Sequence, residues 1–269
     1  NKFISFHIIK NNNVFIPYFA DYVMKNEEKE GKKIKEDERI STGIENFDEL
    51  IEGGFDKNSV NLLVGSSGSG KSIFGIQFLI EGIKKNENCL YVTFEEQKSE
   101  FFENMKELEF DLAGLEKKEK LFFLEYTPKK VKTMLEEGGG AIENIILGKK
   151  IKRVVIDSIT SFELLFKNEF EKRSSLLSLF SMLRKWDCTT VLIYQNDPND
   201  KKINPNTLGF ESDSLTILYF IRREKKRERY LEILKMRGTK HSTKIFPFTI
   251  EKRKGIVLSK KPFSGKFKF

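Results

Sequence analysis

The sequence predicts an α/β fold: a mainly parallel central sheet flanked by helices, with antiparallel strands added toward the C-terminus. Three observations predict it. Short apolar runs alternate with helical patterns from "SVNLLVG" through "TTVLIYQ", the mark of βαβ units whose sheet is covered on both faces. A glycine-rich turn, "GSSGSGKS" at 65–72, joins the first of those runs to a helix. The last third then changes character. "DSLTILYFIRREKKRERYLEILKMRG" reads as two strands around a charged hairpin tip, and "KIFPFTI" and "GIVLSK" add two more.

Taken in order, residues 1–26 hold two aromatic, apolar runs, "FISFHII" and "VFIPYFADYV", separated by "KNNN". They are expected as a strand, a turn, and a strand or short helix. The following "KNEEKEGKKIKEDER" is nearly all Lys and Glu and has no apolar face to bury, so it is expected as a solvated connection. This divides the chain into an extension and linker over 1–37, a main domain over 38–262 and a tail over 263–269. Inside the main domain a helix is predicted from Lys71, a strand at "CLYVTFE", a helix from Ser99 and a strand at "LFFLEY". Helices around 129–149, a strand at "IKRVVIDS" and a helix through 174–186 complete the alternation.

Bulk properties narrow the function classes. A chain of 269 residues can bury one sizeable core. No apolar run approaches the roughly 20 residues that span a bilayer, so no membrane span is expected. The opening begins at Asn1 and lacks a basic start followed by an apolar stretch, so it reads as a trimmed N-terminus on a cytoplasmic chain. Cys89 and Cys188 lie beside strand-like runs without a CxxC partner, which predicts buried free thiols. A net charge of +8 permits an anionic partner without requiring one.

Gly65, Gly70, Lys71 and Ser72 satisfy G-x-x-x-x-G-K-[ST] between an apolar strand and an apolar-periodic helix. The small residues Ser66, Ser67, Gly68 and Ser69 let backbone N–H groups curl around an anion. Those of the first helical residues, through Ile73, add the positive end of the helix. Lys71 is placed to reach β- and γ-phosphates, and Ser72 to ligate magnesium. Asp157 ends the β-branched run of "RVVIDS", where a second carboxylate holds a metal-bound water. Glu95 and Glu96 end "YVTFEE", and adjacent carboxylates raise one another's pKa, which suits one of them as a water-activating base. Gln195 ends "VLIYQ", placed to sense a γ-phosphate and to move the loop over 196–212.

With these stretches in view, the chain resembles the RecA-like P-loop ATPases, and among them the KaiC family. The likeness rests on "STGIENFDELIEGGFDKNSVNLLVGSSGSGKS", "CLYVTFEEQ", "KRVVIDSIT" and "LEILKMRGTKHSTKIFPFTI", in that order, over most of 38–258. It implies a RecA-like core that uses ATP and magnesium, assembled into hexameric rings with nucleotide at each subunit junction. It implies that Glu95 and Glu96 are a catalytic pair. Lys235 and Arg237 would reach the γ-phosphate of the neighbouring subunit, with His241 nearby. A guanidinium suits that role because its planar donors match charge developing on a transferring phosphoryl group. Two departures are visible. The clock members carry two ATPase domains where this chain has room for one, and their Ser–Thr phosphorylation pair matches Gly209 and Phe210 here. Autophosphorylation is therefore not carried over.

The leading expectation is a slow magnesium-dependent ATPase whose nucleotide state switches ring shape and the binding of a protein partner. A DNA-binding recombinase relative is the second reading. "NDPNDKKINPNTLGFESD" opposes it, with two lysines against four acidic residues and one aromatic, a poor surface for single strands. A third is a nucleotide-bound scaffold with little hydrolysis, which the Glu95–Glu96 pair argues against.

Overall fold

The structure is a computed structural model that describes residues 39–127, 130, 140–163, 165–166, 168–196 and 206–265. The two aromatic runs, the charged linker as far as Glu38, residues 131–139 of the helices expected around 129–149, and residues 197–205 of the 196–212 loop lie outside the described residues.

Two short strands, β1 (Arg39–Ile40) and β2 (Phe55–Asp56), pair antiparallel at the entrance to the domain. The main sheet follows: β3 (Val60–Gly65), β4 (Asn88–Thr93), β5 (Leu121–Glu125), β6 (Ile151–Asp157), β7 (Thr189–Gln195), β8 (Ser214–Arg223), β9 (Lys226–Met236), β10 (Phe246–Glu251) and β11 (Gly255–Leu258). Its spatial order is β11-β10-β9-β8-β3-β7-β6-β4-β5. The pairs from β8 through β3, β7, β6 and β4 to β5 are parallel, and those from β8 out to β11 are antiparallel. The predicted fold class holds, including the C-terminal antiparallel strands.

Between the strands run α1 (Lys71–Lys84), α2 (Lys98–Glu107), α3 (Leu112–Lys117), α4 (Gly140–Gly148), α5 (Ile159–Glu163), α6 (Glu169–Lys185) and α7 (Asn206–Glu211). Both faces of the parallel strands are buried, which is why they read as continuous apolar runs. Along β3, Val60, Leu62 and Val64 face one core together with Leu176, Leu179 and Phe180 of α6. Leu63 faces the other, with Phe74 and Phe78 of α1 and Phe101 of α2. Phe47, Phe55 and Phe74 pack edge-on or tilted, so the turn before β3 is fastened to α1 by aromatic contacts. Both cysteines are buried free thiols, as expected.

α3 was not predicted. Six residues are too few for a helical period to show, and its start depends on the Asp111 side chain accepting a hydrogen bond from the Gly114 N–H at 2.9 Å. Phe263, assigned to the tail, packs edge-on against Tyr230 at 5.1 Å.

Candidate nucleotide site

Parallel pairing brings the C-terminal ends of β3, β7, β6 and β4 to one edge, because Gly65 lies opposite Gln195 and Thr93 opposite Asp157. In open α/β sheets ligands bind at that edge. The glycine-rich loop crosses it. A Cβ on Gly65 would meet the Leu218 carbonyl oxygen at 2.6 Å, and Gly70 has φ +101° with the Ile250 side chain 3.3 Å from where its Cβ would stand. Side chains at either position would push the loop off the sheet.

Inside the loop, the Lys71 ammonium donates to the Ser66 carbonyl at 2.8 Å. Burial holds that ammonium below the ordinary lysine range, while the negative fields of Asp157 and Glu95 push it back up. Ser72 Oγ donates to Asp157 Oδ2 at 2.7 Å. Burial raises the Asp157 carboxyl, opposed by hydrogen bonds from Tyr91 and Ser72 and by Lys71. The Ser69 hydroxyl is buried with no hydrogen-bond partner. Ser67 and Gly68 are exposed, and Ile73 packs against the core beneath the loop.

Donor chemistry decides whether magnesium and a triphosphate fit. A desolvated ammonium, an orphaned hydroxyl, a cradle that Cβ atoms would fill, and a hydroxyl–carboxylate pair are what phosphates and a hard cation require. Among the described residues no group of three or more His, Cys, Asp or Glu side chains forms a metal site. A cation held by Ser72, water on Asp157 and the phosphates needs none.

The glutamates differ from each other. Glu95 accepts hydrogen bonds from Ser158 at 2.8 Å and from Ser161. Its own N–H, and that of Glu96, donate to Thr93 Oγ1. Partial burial raises the Glu96 carboxyl above the usual range, followed by the fields of Asp157, Glu100 and Glu95. Of the pair, Glu96 is the carboxyl raised by burial and like charges, and Glu95 is the one held by serines.

Gln195 lies at the same edge with its side chain exposed, its backbone N–H donating to Thr160 at 2.7 Å. Its neighbour Asn196 was not singled out from the sequence. The Asn196 N–H donates to the Gly65 carbonyl at 3.0 Å, and its side-chain oxygen is buried without a hydrogen-bond partner. Arg229 was also missed. Its guanidinium lies over the Phe220 ring at 4.3 Å and donates twice to the Gly68 carbonyl, at 3.1 and 3.0 Å. Neither shows in sequence because each acts on a backbone carbonyl supplied by a distant segment.

Lys235, Arg237 and His241 lie elsewhere. Leu218 pairs with Gly65 on one side and Leu231 on the other, whereas Ser214 pairs with Asn61 and Met236. Lys235, opposite Leu215, is therefore level with Leu62 across β8, about 10 Å of strand short of the loop that follows Gly65. It donates to the carbonyls of Gly209 at 2.7 Å, Phe210 at 3.0 Å and Ser212 at 2.6 Å. Arg237 bonds the Phe210 carbonyl and Asp213 Oδ1, the latter at 3.3 Å. His241 Nδ1 contacts the carbonyl of the next residue, Ser242, at 3.0 Å. The hydrogen bonds of these three side chains go to residues 209–213 and to Ser242, and none goes to the chain's own phosphate loop.

The sheet order, the parallel core and the strand–loop–helix at its edge define a RecA-like fold. A family model described as "ATPase: KaiC" matches residues 40–262. The chain is 34% identical over 229 residues to the circadian clock protein KaiC3 of Synechocystis, covering 82% of this chain and 45% of that protein. It is 34% identical over 220 residues to the circadian clock oscillator protein KaiC of Synechococcus elongatus, covering 79% and 42%. A KaiC-like protein from the hyperthermophilic archaeon Pyrococcus horikoshii superposes with a TM-score of 0.72 at 32% identity, covering 82% of this chain and 98% of that one. The chain belongs to the KaiC family of the RecA superfamily. It spans less than half the length of the clock proteins it matches.

Proposed function

We propose that this chain binds ATP with magnesium at Gly65–Ser72, hydrolyses it slowly, and forms a hexameric ring in which Lys235 and Arg237 complete the site of the next subunit. The observation that carries the reading is the contact of Ser72 with Asp157 beside the buried Lys71 ammonium. In this reading Lys71 faces the β- and γ-phosphates, Ser72 and Asp157 hold the metal and its water, and Glu96 takes a proton from the attacking water. Magnesium supplies charge neutralisation between the phosphates.

Coupling to shape follows from competition. A neighbour's γ-phosphate draws on the same Lys235 and Arg237 donors that now bind the carbonyls at the end of α7. Burial and then the field of Arg237 lower the Lys235 pKa, so an added anion is favourable there. Loss of the γ-phosphate returns the cations to residues 209–213, and the 196–212 loop responds at the Gln195 end. A protein partner that reads this state is part of the proposal. No helix among the described residues is long and apolar enough to cross a membrane.

Sizing by mass tests the assembly. Saturating magnesium-ATP is expected to give a particle of six chains, with smaller species when nucleotide is removed. A single-chain particle under both conditions contradicts the ring.

The Glu96 assignment carries a pH dependence. A base must be ionised, so turnover is expected to rise with pH through the Glu96 pKa, above the ordinary 4.5. Glu100→Gln removes a like charge that disfavours the ionised form, and so shifts this acid limb to lower pH. A pH–rate profile that does not move between the parent and Glu100→Gln argues against Glu96 as the base.

A further inference from the structure

The Asp157 carboxylate has a second hydrogen-bond donor that the proposed reaction does not use. Tyr91 lies on β4, two residues before Thr93, and β4 is the neighbour of β6. Its hydroxyl donates to Asp157 Oδ2 at 2.5 Å, the same oxygen that accepts from Ser72 Oγ at 2.7 Å. The ring is fully buried. It stacks on Phe123 with centroids 5.2 Å apart and planes 3° apart, and packs at 4.7 Å against Phe101. Packed on these two rings and fully buried, the tyrosine presents its hydroxyl to the carboxylate from within the core of the domain.

We propose that Tyr91 is a positioning residue for the metal site: its hydroxyl holds the Asp157 carboxylate in the rotation that receives a magnesium-bound water. The inference rests on the ATP–magnesium reading above. A buried carboxylate is costly unless its lone pairs are satisfied, and only hydroxyl donors satisfy Oδ2 here. Groups that orient a metal-holding carboxylate commonly change metal affinity by about 10–100-fold when removed. A phenol that merely satisfies its own hydrogen bond in the core would affect melting and leave metal affinity alone.

Tyr91→Phe keeps the stacked ring and removes only the donor. The test measures Mn2+ binding by electron paramagnetic resonance to the complex with a non-hydrolysable ATP analogue, together with affinity for that analogue in EDTA. Tyr91→Phe is expected to weaken Mn2+ about tenfold or more with metal-free nucleotide affinity unchanged. In an Asp157→Asn background the same substitution is expected to add nothing, because the group it orients has lost its charge. Unchanged Mn2+ affinity in a folded Tyr91→Phe protein overturns the proposal, and so does an equal loss with and without Asp157. Failure of the parent complex to bind Mn2+ would instead overturn the reading of the site itself. Should Tyr91→Phe unfold, the tyrosine is a core element, and the proposal is likewise overturned.

Discussion

Lys71→Ala is expected to weaken binding of ATP by about 10²–10³-fold, the cost of leaving a buried charge without its counter-ion. The triphosphate would then lie in a desolvated loop whose other donors are backbone N–H groups and small hydroxyls. The fold should survive. Lys71 makes one hydrogen bond, to Ser66, and burial already lowers its pKa, so the ammonium is not a stabilising member of the empty domain. Titration with a fluorescent ATP analogue, with a thermal melt beside it, separates lost binding from lost folding. Unchanged affinity would remove the assignment of the phosphate loop.

Replacing Glu95 and Glu96 together with Gln is expected to slow hydrolysis about 10²-fold or more, the scale of losing a positioned base. ATP should remain bound, because the contacts of Glu95 are to Ser158 and Ser161 and not to the loop's donors. The single variants discriminate further. Glu96→Gln should account for most of the loss, since its carboxyl is the one raised by burial and like charges. Glu95→Gln should cost less, through the serine contacts it disturbs. Single-turnover phosphate release measures both. Parental turnover in the double variant places the base elsewhere.

The main strands were readable because parallel strands covered on both faces carry continuous apolar runs, and "LLV", "VVI" and "VLIY" are such runs. The loop could be read because its chemistry is local: eight consecutive residues carry the turn, the ammonium and the hydroxyl. What was hidden is non-local. Tyr91 reads as one more β-strand aromatic, yet the register of β4 against β6 turns its hydroxyl to Asp157. Asn196 reads as loop, yet it fastens Gly65. Ser158 and Ser161 give two adjacent glutamates that look equivalent in sequence different surroundings. The placement of Lys235 away from its own loop could be found only once β8 and β9 were paired. Short elements such as β1, β2 and α3 escaped because two to six residues carry no period.

Phosphate release from mixtures of Lys71→Ala and Arg237→Ala chains tests the central claim, a nucleotide site completed by the next subunit. Register separates Arg237 from its own loop, so each variant alone should be inactive, one without a loop and the other without a cation to offer. In mixed rings some junctions pair an intact loop with an intact Arg237. Activity above either variant alone, across a titration in which mass measurement confirms co-assembly, is the predicted result. Co-assembled rings that stay inactive at every ratio, or an Arg237→Ala protein that hydrolyses ATP at the parental rate, would contradict it.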